Sequence, residues 1–596
     1  MVRNTHWLAL ITVFLVAVSN ATCIADEPIE TLINQLVDIN APDTGYSQFF
    51  SGGNFLPYDD TESFSTGILG ATGREKSVVM RKLVAAGADA VPELIKHLDD
   101  KRKVNLPPIE SGGMMWIAFN NEYDYNWATL KRPLIGVNLD SSIGDGNSPT
   151  RHETTVGDLC FVALGQILNR RWAASRYQPT GGRIISSPTW SAELRKAIVD
   201  EWGGTNADLH RKSLIKDFKN PDSESRIIGA YQRLSLYYPN EVEALTLELL
   251  SLPIPTSDKT IEFATQLSEI KSKEKRLEKL NSILVTHGQH YRDAIQEQFF
   301  QDIISAHIRE ENGIDLNEEE LFARKLLHET FGWPKPVSYL DWRRQKKSHF
   351  DNYELARIVK SLTHDNSSAI GEKIQKLLES DRFKDDVYMV EACLTSLASR
   401  KQFGEYLSKR IAGIDFSKAT SNDVQPSHLE AIALSKSNAV QNQLQRITKQ
   451  SNDADLFLIA ANAIPKEDWA PTLKRTREVL AALPPDSKDG GQLLKSIAEN
   501  SPGDLESCLV EFLKPDSPSR CNTVCEVLWY GNPLSQKLLL PLLDDTRQVP
   551  GMNSTVRQRA ATAISHSIES IRFDSAWSAS KREAVIEKIK AHCQSE

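Results

Sequence analysis

Cysteine is scarce in this chain, with seven residues among 596. A fold held together by disulfides needs a far higher density, so that class is excluded and buried free thiols are expected. Cys521 and Cys525 stand four apart on a predicted helix, and no second pair completes a zinc site. The sequence therefore predicts neither a structural metal nor a cofactor.

Concentrated positive charge is also missing. The chain has 70 lysines and arginines against 79 aspartates and glutamates, which gives a net charge of -9 at pH 7. Nucleic acids and anionic membranes are bound through dense clusters of basic residues. The charge balance therefore argues against a nucleic-acid partner.

Long apolar runs are absent beyond the N-terminus. In MVRNTHWLALITVFLVAVSNATCIADEP the run from Trp7 to Val18 is short for a membrane span and is followed by small and polar residues. This is the build of a secretory signal peptide, with cleavage after Ala21 or Ala25. A lipoprotein signal at Cys23 lacks the usual preceding residues, and an uncleaved anchor is the alternative. We expect residues 1–25 to direct export to the periplasm or the exterior, without membrane insertion of the remainder.

Motifs that carry catalysis are missing or incomplete. The chain has no Gly-x-Ser-x-Gly, phosphate-binding glycine-rich loop or dinucleotide fingerprint. HETTVGD begins like a zinc-protease motif at Glu153, but Val156 stands where the second histidine belongs. His287 and His290 lack a third ligand at fixed spacing, and the calcium-loop likeness at Asp315 lacks its glycine and closing glutamate. No metal-ligating or catalytic residue is predicted.

One nucleophile candidate is formed by neighbouring residues. Cys160 follows His152 and Asp158, which together supply a thiol, an imidazole and a carboxylate. The helical pattern around Cys160 places it on the packed side, and Ala560 fills the matching position in a second, similar segment. A buried structural thiol is therefore expected.

Alternating strand patterns are rare, whereas helical patterns are common. In VMRKLVAAGADAVPELIKHLDDKR, residues 79–102, apolar residues recur at helical spacing in two blocks. Gly87 is placed to end the first helix, Asp89 to cap the second, and Pro92 to lie in its first turn. This predicts a helical hairpin that needs stacked neighbours to bury its apolar faces.

The hairpin ends in the carboxylate pair Asp99–Asp100. Adjacent helical residues point about 100° apart, so the two carboxylates do not converge on one atom. The ending LDDKR returns as LDDTR near the C-terminus, where Asp544–Asp545 precede Arg547 as Asp99–Asp100 precede Arg102. The pair is therefore predicted to close the turn between helices by bonding locally and by pairing with Lys101, Arg102 or Arg547.

The segments after the two endings are also alike. VGDLCFVAL from Val156 aligns with VRQRAATAI from Val556, with small residues where helices approach closely. GADAVPELIKHLDD followed by such a segment resembles the HEAT-repeat pattern, including the HEAT-like repeats of the phycobilisome-lyase type, among armadillo-type folds. Pro541 departs from the pattern and is expected to bend or delay its helix. The clear match covers residues 79–102, 156–170 and 505–570.

The resemblance implies an all-α fold, an α-solenoid of stacked antiparallel helix pairs. Some HEAT-like relatives are lyases, so the resemblance does not exclude an enzyme. Helical periods separated by short polar breaks continue between the two matching ends. The predicted organisation is a signal peptide at 1–25, a lead-in at 26–73, a first HEAT-like unit at 74–202, helical repeats at 203–484 and C-terminal HEAT-like repeats at 485–596.

One connection differs between the two segments. Val556 follows Asp545 by 11 positions whereas Val156 follows Asp100 by 56, so the first segment carries 45 additional residues. This insertion, residues 103–151, contains the period-two stretches MMWIAF and LIGVNL, which predict a small β-hairpin. A second irregular stretch, RYQPTGGRIISSPTW, follows the next helix.

The insertion supplies the candidate binding residues, which are Trp116, Phe119, Tyr123, Tyr125 and Trp127. Exposed aromatic side chains beside acidic ones suit a contact with a protein or, more weakly, a glycan. Alternatively, the aromatics fold inward as a lid over the first hairpin. The predicted function is a non-enzymatic scaffold that binds another protein. The competing hypothesis is an enzyme or glycan-binding protein with a pocket formed by residues 103–190.

Overall fold

The fold is predominantly α-helical, with 24 α-helices among the described residues, and this confirms the predicted all-α class. The computed structural model describes residues 27–40, 56, 63–64, 74–75, 77–110, 116–119, 123, 151–178, 182–219, 224–251, 257–270, 272–287, 291–292, 294–295, 352–380, 383–384, 386–484, 487, 489–514, 516–529, 534–568 and 571–595. The predicted signal peptide lies outside them. The chain divides into two compact units, residues 1–374 and 375–596.

The first unit contains α1 to α11, and α12 holds the boundary between the units. The helices are α1 (Ile29–Gln35), α2 (Val78–Ala85), α3 (Val91–Lys96), α4 (Val156–Leu168), α5 (Ala192–Trp202), α6 (Ala207–Phe218), α7 (Glu224–Tyr237), α8 (Pro239–Leu249), α9 (Ser257–Ser268), α10 (Lys273–His287), α11 (Asn352–Ser361) and α12 (Ser368–Leu378). The strands are β1 (Ser63–Phe64), β2 (Arg74–Glu75), β3 (Ile109–Glu110), β4 (Trp116–Phe119), β5 (Arg151–His152), β6 (Ser175–Gln178) and β7 (Gly182–Ile185).

The two helices of the predicted hairpin are present as α2 and α3, and each packs against α4. The Ser77 hydroxyl caps α2 by accepting from Met80 N at 3.2 Å. Gly87, with φ of 60°, adopts the left-handed conformation that glycine tolerates and begins a 3-10 turn. The prediction that Asp89 caps α3 is wrong, because Asp89 lies inside that turn and α3 begins at Val91 without a side-chain cap.

Helix α4 is the centre of the first unit. Every residue from Val156 to Leu168 is buried, which is the pattern of a helix packed on all sides. Helices α2, α3 and α6 pack against it. Thr155 begins α4 with a capping box, and Asn169 ends it in the left-handed conformation with φ of 57°.

The insertion contributes to two small sheets. Strand β3 pairs antiparallel with β5, and β4 pairs parallel with β7, which is itself antiparallel to β6. The predicted strand in MMWIAF is thus present as β4, whereas LIGVNL lies outside the described residues. The partner of β4 in the described part is β7, from the second irregular stretch. Local sequence does not signal such a parallel pairing over more than 60 residues.

The second unit contains the helices after α12. They are α13 (Val387–Ala398), α14 (Gly404–Ala412), α15 (Pro426–Ala433), α16 (Asn438–Gln450), α17 (Ala454–Asn462), α18 (Ala470–Ala482), α19 (Asp489–Asn500), α20 (Leu505–Leu513), α21 (Pro518–Val527), α22 (Leu534–Leu539), α23 (Val556–Ser565) and α24 (Ala579–Ser595). Pro541 neither bends nor delays an α-helix, contrary to expectation. Instead α22 ends at Leu539, and Pro541 lies in the 3-10 turn Leu540–Asp544 that follows.

Helices of the second unit pack in two rows. The first row runs α13, α15, α17, α19, α21 and α23, and each member contacts the next. The second row runs α14, α16, α18 and α20 in the same way. Some consecutive helices, such as α16 with α17 and α19 with α20, also pack together across the rows. In the part of the chain that is described, no helix is both long and apolar enough to cross a membrane.

Arginine side chains join successive helices of the second row. Arg446 on α16 donates to Ile411 O and Ala412 O at the end of α14, both at 2.8 Å. Arg475 on α18 donates to Ser451 O, the C-cap of α16, at 3.2 Å. A helix leaves its last carbonyl groups without intrahelical donors and carries partial negative charge there, so a cation binds well.

Candidate functional site

The two LDD turns have the same hydrogen bonds. Asp100 Oδ1 accepts from the backbone N and from Nε of Arg102, both at 3.0 Å. Asp545 Oδ1 accepts from the same two atoms of Arg547, both at 3.0 Å. The first carboxylate of each pair is exposed and points elsewhere. The predicted bond to the arginine is confirmed for Asp100 and Asp545, the second carboxylate of each pair.

The charges of these turns are fixed by the arginines. Burial by itself would raise the pKa of Asp100, but hydrogen bonds from the Arg102 side chain and backbone and from His97 lower it to about 2. The hydrogen bond from the Arg547 guanidinium likewise lowers the pKa of Asp545. Both carboxylates are therefore ionised near neutral pH, where a general acid or base needs a pKa close to the working pH.

The insertion lies at the end of a turn that has an equivalent in the C-terminal segment. Val104 N donates to Thr154 O at 3.0 Å, and Val549 N donates to Ser554 O at 3.0 Å. In the C-terminal segment only residues 550–553 close this tip, whereas residues 105–153 do so in the first. Farther along the insertion, β3 pairs antiparallel with β5 in a shifted register.

The capping threonines of α4 and α23 give a matched pair of predictions. Thr155→Ala and Thr555→Ala are each expected to lower the free energy of unfolding by about 1 kcal/mol, because each hydroxyl accepts from the backbone N three residues later. Thr155→Ala should have the larger effect, since this hydroxyl also bonds to Thr189 at 3.2 Å. Urea denaturation of the purified variants measures both.

Thr562→Ala is the control for the capping prediction. Its hydroxyl lies within α23 and donates to Gln558 O at 2.8 Å. Because alanine is a better helix former, this substitution should lower the free energy of unfolding only slightly. A loss for Thr555→Ala no larger than that for Thr562→Ala would contradict the capping role.

Phe119, one of the predicted binding residues, is buried, with only 5% of its surface exposed. Its ring lies 4.7 Å from the Trp190 ring and 5.7 Å, edge-on, from the His152 ring. It belongs to the hydrophobic core that contains Met80 and Leu94 of the first hairpin. Phe119 is therefore part of the same hydrophobic core as the first hairpin.

Tyr123 is half-buried against α5. Its hydroxyl donates to the Glu201 carboxylate and accepts from Trp202 Nε1 at 3.2 Å. Its ring lies 5.5 Å from Trp172, which stacks on Phe161 at 5.1 Å. Burial and the Glu201 carboxylate raise the pKa of Tyr123, so the hydroxyl stays protonated.

Among the remaining binding candidates, Trp116 lies in β4, and Tyr125 and Trp127 lie outside the described residues. The inward placement of Phe119 and Tyr123 agrees with the lid alternative for these two side chains, and the binding role of the set stays a prediction. Sequence analysis did not single out Trp190, which is 51% exposed beside Phe119. Its position in the second irregular stretch was the feature of the sequence that could have indicated it.

His152 and Asp158 come together as a buried pair. His152 Nε2 lies 2.9 Å from Asp158 Oδ2, which also accepts from Thr155 N at 3.0 Å. Cys160 is completely buried, and burial raises the pKa of its thiol. The expectation that Cys160 is buried is confirmed. Glu153 of the zinc-protease likeness instead forms ion pairs with Lys103 and Arg151.

A buried polar cluster that sequence analysis missed surrounds the end of α4. Asn169 Nδ2 donates to Asp217 Oδ2 at 2.9 Å, and Arg170 Nη1 donates to the same oxygen at 2.6 Å. Gly229 on α7 makes room for this cluster, since a Cβ at that position would lie 2.1 Å from Asn169 Oδ1. No local motif marks these residues, because they come from two separate helices and the end of a third.

Carbonyl groups at the end of α4 receive donors from the same cluster. Arg233 donates through Nε to Gln166 O and through Nη1 to Asn169 Oδ1 at 3.2 Å. His210 Nε2 lies 2.9 Å from Ile167 O. Burial lowers the pKa of Arg233 to about 10 and that of His210 to about 4. The cluster is a closed structural contact rather than an accessible site.

Three groups in the second unit have the spacing of metal ligands. Ligand atoms of Asp516, Cys521 and Asp545 lie within 4.8 Å of one another. The Arg547 guanidinium bonds to both carboxylates, so an arginine of the protein already supplies the positive charge that a metal ion would otherwise provide. Burial raises the pKa of Cys521 to about 11, which disfavours the thiolate a metal requires. Of the earlier histidine pair, His287 is described and His290 is not.

Two cavities lie along the first row of the second unit. One of about 630 Å³ lies between α15, α17 and α19, and one of about 420 Å³ lies between α19, α21 and the turn at 549–552. Gln492 lines both. Leu434 in the first cavity is 60% exposed and Met552 in the second is 39% exposed. We call this surface the row face.

These features define a predominantly helical protein of packed neighbouring helices, with a β-containing insertion at one inter-helix turn. No family model, curated protein sequence or solved structure matches the chain. The likeness to HEAT repeats therefore rests on the two LDD segments and on the helix packing, and function has to be argued from the surfaces themselves.

Proposed function

We propose that the protein is an exported, non-enzymatic α-solenoid of HEAT-like helix pairs that binds another protein. The observation that carries this proposal is the order of contacts in the second unit. In a solenoid each repeat contacts only its neighbours, and such arrays bind partners along an extended face. The successive packing of α13, α15, α17, α19, α21 and α23 supports this arrangement. Export is inferred from residues 1–25 alone.

The row face has the chemistry of a protein contact. Leu434 and Met552 are apolar and exposed, and polar residues such as Asn462, Gln492 and Asn522 line the same cavities. Apolar groups with a polar surround are typical of protein interfaces, where the apolar centre supplies affinity and the rim supplies hydrogen bonds. The partner is therefore expected to present apolar side chains flanked by amides or hydroxyls.

The competing proposal, an enzyme or glycan-binding pocket within residues 103–190, needs accessible polar groups there. His152 and Asp158, the best candidates for chemistry in that region, are buried and bonded to each other. Phe119 packs over His152. For the part of this region that the structure describes, these placements support the scaffold over the enzyme.

Site-specific photocrosslinking tests the row face. A photoreactive phenylalanine analogue at Leu434 or Met552, in protein expressed with its own N-terminus, is expected to give discrete adducts with a partner in the envelope or culture fraction. Val510 is the matched control, because it is 45% exposed on α20 in the second row. It should give no adduct.

The same experiment reports on the insertion. An analogue at Trp190, exposed beside the insertion, gives adducts only if that region also contacts the partner. Adducts at Trp190 alone would place recognition at the insertion and overturn the row face. Equal yields at Leu434 and Val510, or none at Leu434 and Met552, would contradict the proposed surface.

A further inference from the structure

A separate cavity of about 560 Å³ lies in the second unit between the second-row helices α18 and α20. Its volume is in the range of small-molecule sites, about 300 to 1,000 Å³. It is lined by Lys474, Arg477, Glu478, Leu480, Ala481, Cys508, Glu511, Phe512, Lys514 and Arg520. None of these residues belongs to the row face.

Positive charge predominates in this cavity. Its lining holds four cations, Lys474, Arg477, Lys514 and Arg520, and two carboxylates. The whole chain, by contrast, carries a net charge of -9. A local excess of one sign within a cleft attracts the opposite charge.

The exposed lysines are the uncompensated part of this charge. Lys474 and Lys514 are exposed, and no carboxylate among the described residues pairs with either of them. Arg477 is already bonded to Asp504 at 3.2 Å and to Ser507 Oγ at 2.7 Å. Glu478 is likewise paired, with Arg475 at 2.9 Å. The two lysines are therefore the cations available to an anion.

A buried cation lies at the inner side of the cavity. Arg520, 4% exposed, donates to Leu483 O at 2.9 Å and to Phe512 O at 3.2 Å, and its Nε has no acceptor. Its guanidinium lies 4.7 Å over the Phe512 ring. In the described part of the chain no carboxylate neutralises it. A desolvated cation acts over a longer range than one in water, so it adds to the field in the cavity.

Apolar groups form the other part of the lining. Leu480 and Phe512 are buried core residues that border the cavity, and Ala481 is exposed at its edge. A ligand that fits this surface has an apolar body and an anionic end. The apolar body contacts Phe512 and Ala481 while the anion lies near the lysines.

We propose that this cavity binds a small organic carboxylate with an apolar chain or ring. The carboxylate is held by Lys474 and Lys514, and the field of Arg520 adds to the attraction. This ligand class goes beyond the proposed scaffold function, because the cavity lies on the second row and its occupancy does not require a partner at the row face.

Titration calorimetry with the intact protein tests the cavity. Octanoate is expected to bind, and octylammonium, which has the same chain and the opposite charge, is not. Raising the salt concentration should weaken octanoate binding several-fold, because exposed charges are screened. Equal binding of the two probes would overturn the proposal.

Exposed substitutions locate the binding. Lys474→Glu and Lys514→Glu are each expected to weaken octanoate binding about tenfold or more, and Ala481→Asp to do the same by placing a carboxylate in the cavity. Lys449→Glu, an equally exposed charge reversal on α16, is the control and should leave the affinity unchanged. A uniform loss in all four variants, or none in the first three, would show that octanoate binds elsewhere. Photocrosslinking at Leu434 reports independently on the row face.

Discussion

Replacing Arg233 by methionine is expected to destabilise the first unit by about 2 to 5 kcal/mol. Arg233 is fully buried and is a donor to Gln166 O and Asn169 Oδ1. In the variant, each of the two buried acceptors loses this donor, and the loss costs about 1 to 3 kcal/mol of stability per acceptor. The variant also avoids the desolvation cost of burying a cation, and this offsets part of the lost stability. Methionine keeps much of the volume, so the change reports on the polar contacts.

Hydrogen exchange of peptides covering residues 156–169 measures this effect in the right unit. Protection of α4 should fall in Arg233→Met, while peptides of the second unit keep theirs. Arg211→Met is the matched control. Arg211 is half-buried and pairs with Asp208 and Glu241 at the surface, where such pairs contribute about 0 to 1 kcal/mol. Equal loss of protection in both variants would contradict the role of Arg233.

Acidification from pH 6.5 to pH 4 is expected to remove about 3 kcal/mol of stability from the first unit through His210 alone. Burial lowers the pKa of His210 from 6.5 to about 4 in the folded state. Above pH 6.5 the imidazole is neutral in both states and stability is complete. Between pH 6.5 and 4 the unfolded chain takes up the proton first, so stability falls, and below pH 4 this loss stops.

The difference between the wild type and His210→Gln isolates this contribution. Glutamine does not titrate, so the variant is expected to be less stable at pH 7 yet to lose less on acidification. Hydrogen exchange of α4 at pH 6.5 and pH 4.5, corrected for intrinsic exchange rates, gives both slopes. Parallel slopes would show that His210 titrates alike in the folded and unfolded states.

Much of the helical architecture was predictable, because it depends on local patterns. Apolar spacing predicted the helices α2 and α3, and Pro541 marked the point at which α22 gives way to a 3-10 turn. The repeated LDD ending predicted the bond between Asp100 and Arg102, because two sequences with one spacing share one local structure.

Contacts between distant segments were beyond the reach of the sequence. The pairing of β4 with β7 and the convergence of Arg233, His210 and Asp217 on the end of α4 depend on tertiary packing. Asp89 was assigned a capping role from its residue type. It lies instead within the 3-10 turn, and α3 begins after Ala90 without a side-chain cap. For the candidate site, the aromatic composition marked the insertion as a candidate binding region. It did not show that Phe119 is buried, because that depends on its neighbours in the core.

The turn shared by the two LDD segments has a practical consequence for protein engineering. The same ladder closes over 49 residues between Val104 and Thr154 and over four residues between Val549 and Ser554. Loop-closure entropy grows only slowly with length, so such a turn accommodates added chain at little cost. Gly551, at the exposed tip of the short version, is therefore a position at which the fold accommodates an inserted reporter domain, and such a domain would also cover the row-face cavity that Met552 lines.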